Sequence, residues 1–374
     1  MSRTGSEPNN SLLLVAATAI LVLSALHFLQ RNFLPASSGN AIAPTGDGPL
    51  ELTQRGRGRH AENPFQIPWT GWKDVLWRTH ERSNDDRLLA TAAGVVFFGL
   101  LAVFPAITAL VSSYGLFADP STIGANLRTL ALMLPDGSFQ IVQDQIARVL
   151  SKGNATLGAT FLFGLGLAIW SANAGVRAVI DALNVVYEER EKRSFLRLNL
   201  LSLGFTTGAI VALLLMVSAV VAFPLALDHL GLAPAGKFLV SLARWPAMLL
   251  ILLLALGVLY RFGPSRRAAR WEWLSIGTLM AAMLWIVGSS ALSWYLSNFG
   301  NYDATYGSLG AAIGLMMWMW MSAIIVLLGA ELNSEIEHQT AQDTTVGRRK
   351  PLGARGAVMA DTPGEAVATR SEQQ

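Results

Sequence analysis

The sequence predicts an all-α fold, a polytopic helical membrane protein with a six-helix core preceded by one N-terminal transmembrane anchor. Three observations predict it. Of 374 residues, 52% are hydrophobic and 14% charged, whereas a soluble domain carries roughly 25% charged residues. Mean hydropathy is +0.42. Seven apolar stretches approach the about 20 residues that a helix needs to cross the hydrocarbon layer, where exposed backbone groups find no water. So little polar material cannot cover a globule of this size, which excludes a soluble enzyme. The absence of cysteine excludes a disulfide scaffold, a thiolate metal site, an iron–sulfur cluster and a thiol nucleophile.

The first apolar stretch, 12–29, gives an anchor over 1–30. Its rival reading is a cleaved signal peptide, because Arg3 precedes the run and small residues follow at Ala36 to Ser38. Residues 31–87 read as a cytoplasmic linker, rich in Gly, Pro and Ser near 35–49, that ends in an interfacial helix. Over 72–87, Trp72, Val75, Leu76 and Trp77 share a face opposite Lys73, Asp74, Arg78 and Glu81, a pattern suited to lying among headgroups. A second amphipathic stretch, 140–152, does the same with Val142, Ile146, Val149 and Leu150. The core, 88–338, holds spans expected over 89–114, 155–177, 198–227, 245–260, 273–296 and 309–331. Residues 339–374 lack an apolar period and read as a disordered cytoplasmic tail.

Charge sets the orientation. Of the 28 Lys and Arg residues, 22 fall in the linker, 177–197, 261–270 and the tail, segments that share one side if the core enters and leaves by the same face. The positive-inside bias makes that side cytoplasmic and the protein a multi-pass component of a bacterial inner membrane. The net charge of +3 is thereby used for topology, and no nucleic-acid partner is implied.

The chemistry-bearing residues are few. His27, His60, His80, His229 and His338 share no helix at ligand spacing, and no P-loop or nucleophile-elbow motif is present. No metal, no cofactor and no catalytic residue is expected. Polar groups inside or at the ends of spans are costly and need partners. Asn173, Arg177, Asp181 and Asn184 fall on one helical stripe, and Glu331, Asn333 and Glu335 close the last span. They read either as an inner gate or ligand site or as a clasp between helix ends, with Arg177 expected to pair with Asp181 or Glu331 and Leu327 expected to face lipid. The loop 295–310 carries Asp303 among aromatic and amide residues and reads as an outer vestibule or a hairpin cap. Gly204 with Gly208, and Gly310 with Gly314, offer small-residue steps for close helix packing. Met316, Met317, Met319 and Met321, interleaved with Trp318 and Trp320, are soft filler or the lining of an acyl-chain path.

These residues resemble those of the YihY / virulence factor BrkB family, once labelled ribonuclease BN. The resemblance covers roughly 75–337. It is carried by Trp170-Ser171-Ala172 through Ala182-Leu183-Asn184, by Leu259-Tyr260-Arg261-Phe262-Gly263-Pro264 with Arg266 and Arg267, and by Asn301-Tyr302-Asp303-Ala304-Thr305-Tyr306-Gly307-Ser308 joined to Gly329-Ala330-Glu331-Leu332-Asn333. Ile276 stands where the family pattern has a proline before Gly277. The resemblance implies a six-helix inner-membrane protein with an envelope role and without ribonuclease activity. The expectation is a transporter or lipid-handling protein whose partners are membrane lipids and a small solute or lipid substrate. The alternative is a non-transporting envelope scaffold or resistance factor.

Overall fold

A computed structural model describes residues 56–117, 154–220, 234–299 and 309–366. The anchor segment, the 140–152 stretch and the loop with Asp303 lie outside the described residues. The fold is helical: α1 (Trp69–Asp85), α2 (Leu88–Phe117), α3 (Asn154–Val186), α4 (Phe195–Val220), α5 (Pro234–Phe262), α6 (Trp271–Phe299), α7 (Leu309–Gln339) and a single turn, α8 (Val358–Asp361). The only extended pairing among the described residues is an isolated antiparallel bridge between Ala269 and Thr345. Five helices, α3 to α7, contain segments long and apolar enough to cross a membrane, and α2 adds 30 residues without a charged side chain. Of the described residues, 214–220 and 234–251 belong to one compact unit and the rest to another. The first contains Pro246 inside α5, where the ring removes one backbone donor from the helix ladder.

In the larger unit the spans begin and end where backbone conformation reverses the chain. Arg87, between α1 and α2, has φ 49°, and Glu188, after α3, has φ 53°. This left-handed conformation costs a non-glycine residue about 1–2 kcal/mol. At Glu188 it closes a Schellman motif, with the Glu189 N–H donating to the Asn184 carbonyl at 2.8 Å and the Glu188 N–H to that of Val185 at 2.9 Å. An ion pair between Arg82 and Glu188 ties the two reversals together.

Close helix crossings use glycines other than those the spacing picks out. A Cβ on Gly329 would sit 2.6 Å from the Tyr260 hydroxyl and 2.8 Å from the Gly277 carbonyl, and one on Gly277 would overlap the Gly329 carbonyl, so α6 and α7 touch backbone to backbone there. A Cβ on Gly175 of α3 would meet the Gly99 backbone nitrogen of α2 at 3.7 Å, an ordinary contact. Gly204 and Gly208 are exposed and a Cβ on either would meet nothing within 4 Å. They are therefore not packing positions in the described chain. Gly310 is buried, while Gly314 meets only the Leu296 side chain, at an ordinary 3.6 Å.

The shafts of the helices present large apolar side chains outward, among them Leu162, Phe163, Trp170, Leu200 and Val287, as lipid-facing surfaces do. Leu327, expected on that surface, is buried. Tryptophan N–H groups are satisfied across helices: Trp285 donates to Ser322 at 3.0 Å, Trp318 to Ser289 at 3.2 Å and Trp320 to the Leu89 carbonyl at 3.0 Å. Met319 fills the space beside Gly99, and Met321 that beside Gly288.

The hydrophobic cluster sits at one end, where Val75 of α1, Trp273 of α6, and Leu332 and Ile336 of α7 pack with Ala61 and Ile67. Here two sequence expectations are corrected. The helix over 72–87 does not lie free with its polar face in water: Asp74 and Arg78 are buried, while Trp69, Leu76 and Trp77 are exposed. The tail is not structureless, because 340–366 wraps this same end as a strap. Arg355 organises it, donating to the carbonyls of Ala341 at 2.6 Å, Gln342 at 2.9 Å and Ala360 at 2.5 Å. Asp343 accepts from the Thr345 and Lys350 backbones, at 2.9 and 2.8 Å, and Asp361 from those of Arg355 and Gly356, both at 3.0 Å. Gly347, Gly353 and Gly356 take positive φ, which glycine adopts without steric cost. Order comes from polar satisfaction rather than from an apolar stripe.

Candidate functional site

The last turns of α7 supply the site. From Ala330 to Gln339 every residue is buried, although the run includes three glutamates, an asparagine, a histidine and a glutamine. Such groups tolerate burial only with charge partners and hydrogen bonds, and neighbouring elements deliver them. Arg78 of α1 donates Nε to Glu335 at 2.5 Å, one terminal nitrogen to Gln339 at 2.6 Å and the other to the Glu365 carbonyl at 3.0 Å. His338 Nδ1 lies 3.5 Å from the same Glu335 carboxylate. Arg57 grips Asp74 through both oxygens at 2.8 and 2.7 Å. Arg59 donates to the carbonyls of Gln339 and Gly364.

A second layer surrounds Arg266. Its guanidinium forks onto Glu337 at 3.0 and 2.7 Å, with both side chains fully buried, and lies 4.0 Å from the centroid of the Tyr187 ring. Thr344 of the strap donates a further bond to Glu337 at 2.8 Å. Asn184 accepts from the Ser265 N–H at 2.7 Å and donates to Glu191 at 3.2 Å, and Glu191 clamps Arg193 at 2.8 Å. Glu189 accepts from the Val358 N–H at 2.8 Å, so the strap is stitched to the end of α3.

Titration follows from these contacts. Burial raises Asp86 to about 6, opposed by Arg82 and reinforced by the nearby negative charges of Glu188, Asp85 and Glu335. Burial likewise lowers Arg59 to about 10, with Arg78 and Arg57 adding to the shift against the pull of Asp74. Glu191 resists its burial and is held at about 2 by hydrogen bonds from Arg193, Asn184 and Ser265. Burial would lower Arg266, yet the Glu337 carboxylate raises it.

Three groups of sequence-singled residues emerge. Asn184, Asn333 and Glu335 are structural members of the network, Asn333 accepting from the Gly277 N–H at 2.9 Å at the tight α6–α7 crossing. Glu331 is 1% exposed, and neither of its carboxylate oxygens has a hydrogen-bond donor. Asp86, Glu335, Arg82 and Glu188 are its charged neighbours. Further along α3, Asn173 Oδ1 and Arg177 Nε are buried and unpartnered. Arg177 does not form the expected pair with Asp181 or Glu331; its guanidinium lies 5.7 Å from the Phe195 ring centroid, and Asp181 is exposed.

Arg78, Gln339, Arg266, Glu337 and Tyr187 belong to the site without having been singled out as such. Arg78 and Asp74 share a helix face otherwise bordered by aromatics, which was their signal; Glu337 had none beyond its place two residues after Glu335.

A family model described as virulence factor BrkB matches residues 79–352. The chain is 31% identical over 247 residues to a ribonuclease-like protein, YfkH, of Bacillus subtilis, covering 65% of this chain and 88% of the relative. It is 26% identical over 285 residues to a UPF0761 membrane protein of Pseudoalteromonas translucida, covering 73% and 88%. A UPF0761 membrane protein of Vibrio vulnificus is 25% identical over 265 residues, covering 68% and 80%. No solved structure matches.

Proposed function

The chain belongs to the virulence factor BrkB family, and from that premise we propose a multi-pass inner-membrane protein that moves a small solute or lipid, with both ends of the six-helix core cytoplasmic. The observation that carries the reading is Glu331. A carboxyl group without a donor, held at 1% exposure between membrane-spanning helices, costs several kcal/mol that packing alone does not repay. Ionisable residues so placed serve proton, ion or substrate passage by default. The unpartnered Asn173 and Arg177 atoms on α3 support a polar path that is hydrated in another conformation. Orientation is supported by the charge bias of the sequence, in which 22 of 28 basic residues fall in the linker, 177–197, 261–270 and the tail.

A scaffold is the second reading, favoured by the saturated ion pairs Arg78–Glu335 and Arg266–Glu337. The name of the Bacillus relative raises ribonuclease activity. Against it, Asp74, Glu335 and Glu337 are each committed to an arginine, so these acids have no free charge to offer a reaction on RNA.

The absence of native cysteine makes the test direct. Asn173→Cys and Asn333→Cys, in proteoliposomes, are expected to react with a small water-soluble thiol reagent, more slowly than exposed Lys73→Cys and unlike lipid-facing Met316→Cys. Inert Asn173→Cys and Asn333→Cys beside a reactive Lys73→Cys would mean a dry core and a scaffold.

A further inference from the structure

At the strap end, apart from the Glu331 cluster, a cleft of about 500 Å³ opens between the start of α4, the loop after α5 and the strap at Gly356. Six cationic side chains line it, Lys192, Arg193, Arg197, Arg261, Arg266 and Arg267, and no carboxylate does. Three of the six are neutralised from behind: Lys192 by Glu189, Arg193 by Glu191 and Arg266 by Glu337. Arg197, Arg261 and Arg267 form no ion pair among the described residues, which leaves about three uncompensated charges on one wall.

Two of these arginines are held in place without an anion. The guanidinium of Arg261 lies 4.6 Å from the Trp271 ring centroid and 5.4 Å from that of Phe262, a pair of cation–π contacts that fixes its position. The Arg267 backbone N–H donates to the Gly356 carbonyl at 3.0 Å, and its terminal nitrogen would lie 2.6 Å from a Cβ on Gly347, so the strap leaves room for this guanidinium and for no larger neighbour. Nε and one terminal nitrogen of Arg261, and one terminal nitrogen of Arg267, are shut off from water and have no acceptor. Buried charged donors without acceptors are costly, and preorganised guanidinium groups match phosphate oxygens in charge and fork geometry. Around the cleft, Phe195, Leu196, Leu200, Phe262 and Trp271 are exposed, which sets it at the level where the apolar shafts end.

We propose that this cleft is a binding site for a phosphate-bearing anion, with Arg261 and Arg267 as its anchors and Arg197 as its entrance. The chemistry is shared by the headgroup of an anionic phospholipid and by a free phosphate ester. It does not depend on transport, and failure of the cysteine experiment above leaves it standing.

Full-length protein is purified and offered nanodiscs of phosphatidylcholine with or without phosphatidylglycerol, or glycerol phosphate in solution, and bound ligand is read by native mass spectrometry. Retention of phosphatidylglycerol over phosphatidylcholine identifies a lipid headgroup site, and a complex with glycerol phosphate identifies a soluble ester; either supports the proposal. Arg261→Gln with Arg267→Gln is expected to lower retention at least tenfold, and Arg197→Gln, at an exposed position that keeps the fold, several-fold. Arg349→Gln, an arginine outside the cleft, is expected to leave it unchanged. The proposal is overturned if neither ligand is retained, or if folded Arg197→Gln and the double variant both retain as much as the parent.

Discussion

The two halves of α7 obey opposite rules. Its first half turns Met316, Trp318 and Trp320 outward, whereas its last ten residues are wholly buried though most of them are polar. In the first half large apolar side chains face outward, and Trp318 and Trp320 donate across to Ser289 and to the Leu89 carbonyl. In the second, α1, the loop after α5 and the strap replace water with arginines and backbone groups. The comparison teaches that the buried polar residues of this protein gather in a clasp at one end of the helices, beside the Gly277–Gly329 crossing.

The largest way to break that contrast is to strip one partner from the clasp. Glu337→Ala leaves the Arg266 guanidinium buried without its carboxylate, an expected loss of about 3–5 kcal/mol, measured as the thermal midpoint in detergent. Replacing the pair together, Arg266→Met with Glu337→Leu, is expected to recover most of it. In the shafts, Gly329→Ala drives a methyl into Tyr260 and Ala281, at an expected cost of about 1–3 kcal/mol. Gly204→Ala, at an open position, is expected to be neutral or to gain up to about 1 kcal/mol in helix propensity. A comparable loss at both glycines would erase the distinction between the packed position and the open one.

Much of this was legible in the sequence and the remainder had reasons to stay hidden. Apolar runs gave the long helices α2 to α7, five of them apolar and long enough to cross a membrane, and the Arg78–Glu335 pair brings the helix before α2 to the end of α7. Asn184, Glu331, Asn333 and Glu335 stood out because polar residues at the ends of spans are expensive. The strap did not, since hydrogen bonds such as those of Arg355 and Asp343 leave no periodic trace. Nor did Gly277 and Gly329, which lie 52 positions apart in sequence and meet only after α6 and α7 have packed. The stripe on α3 split because Asn184 found the Ser265 loop, while Arg177 found an aromatic ring in place of a carboxylate.

A smaller effect sharpens the electrostatic side. Asp86 is raised to about 6, so the folded state holds its proton more tightly than the unfolded chain does at an ordinary value of about 3.9. Its contribution is complete below pH 4 and is lost as pH rises through about 6. The thermal midpoint is therefore expected to fall across that window, and Asp86→Asn to flatten the fall; a parallel profile in the variant would show that other groups set it.

Everything proposed for transport turns on whether Glu331 is there for the fold or in spite of it. The thermal midpoint of Glu331→Met decides this, since an apolar side chain of similar size replaces a buried carboxyl that has no donor. A midpoint equal to or above that of the parent is expected, as at a functional site that the fold tolerates at a cost. A fall of more than a few degrees would contradict it, giving Glu331 a structural partner and returning the end of α7 to a clasp alone.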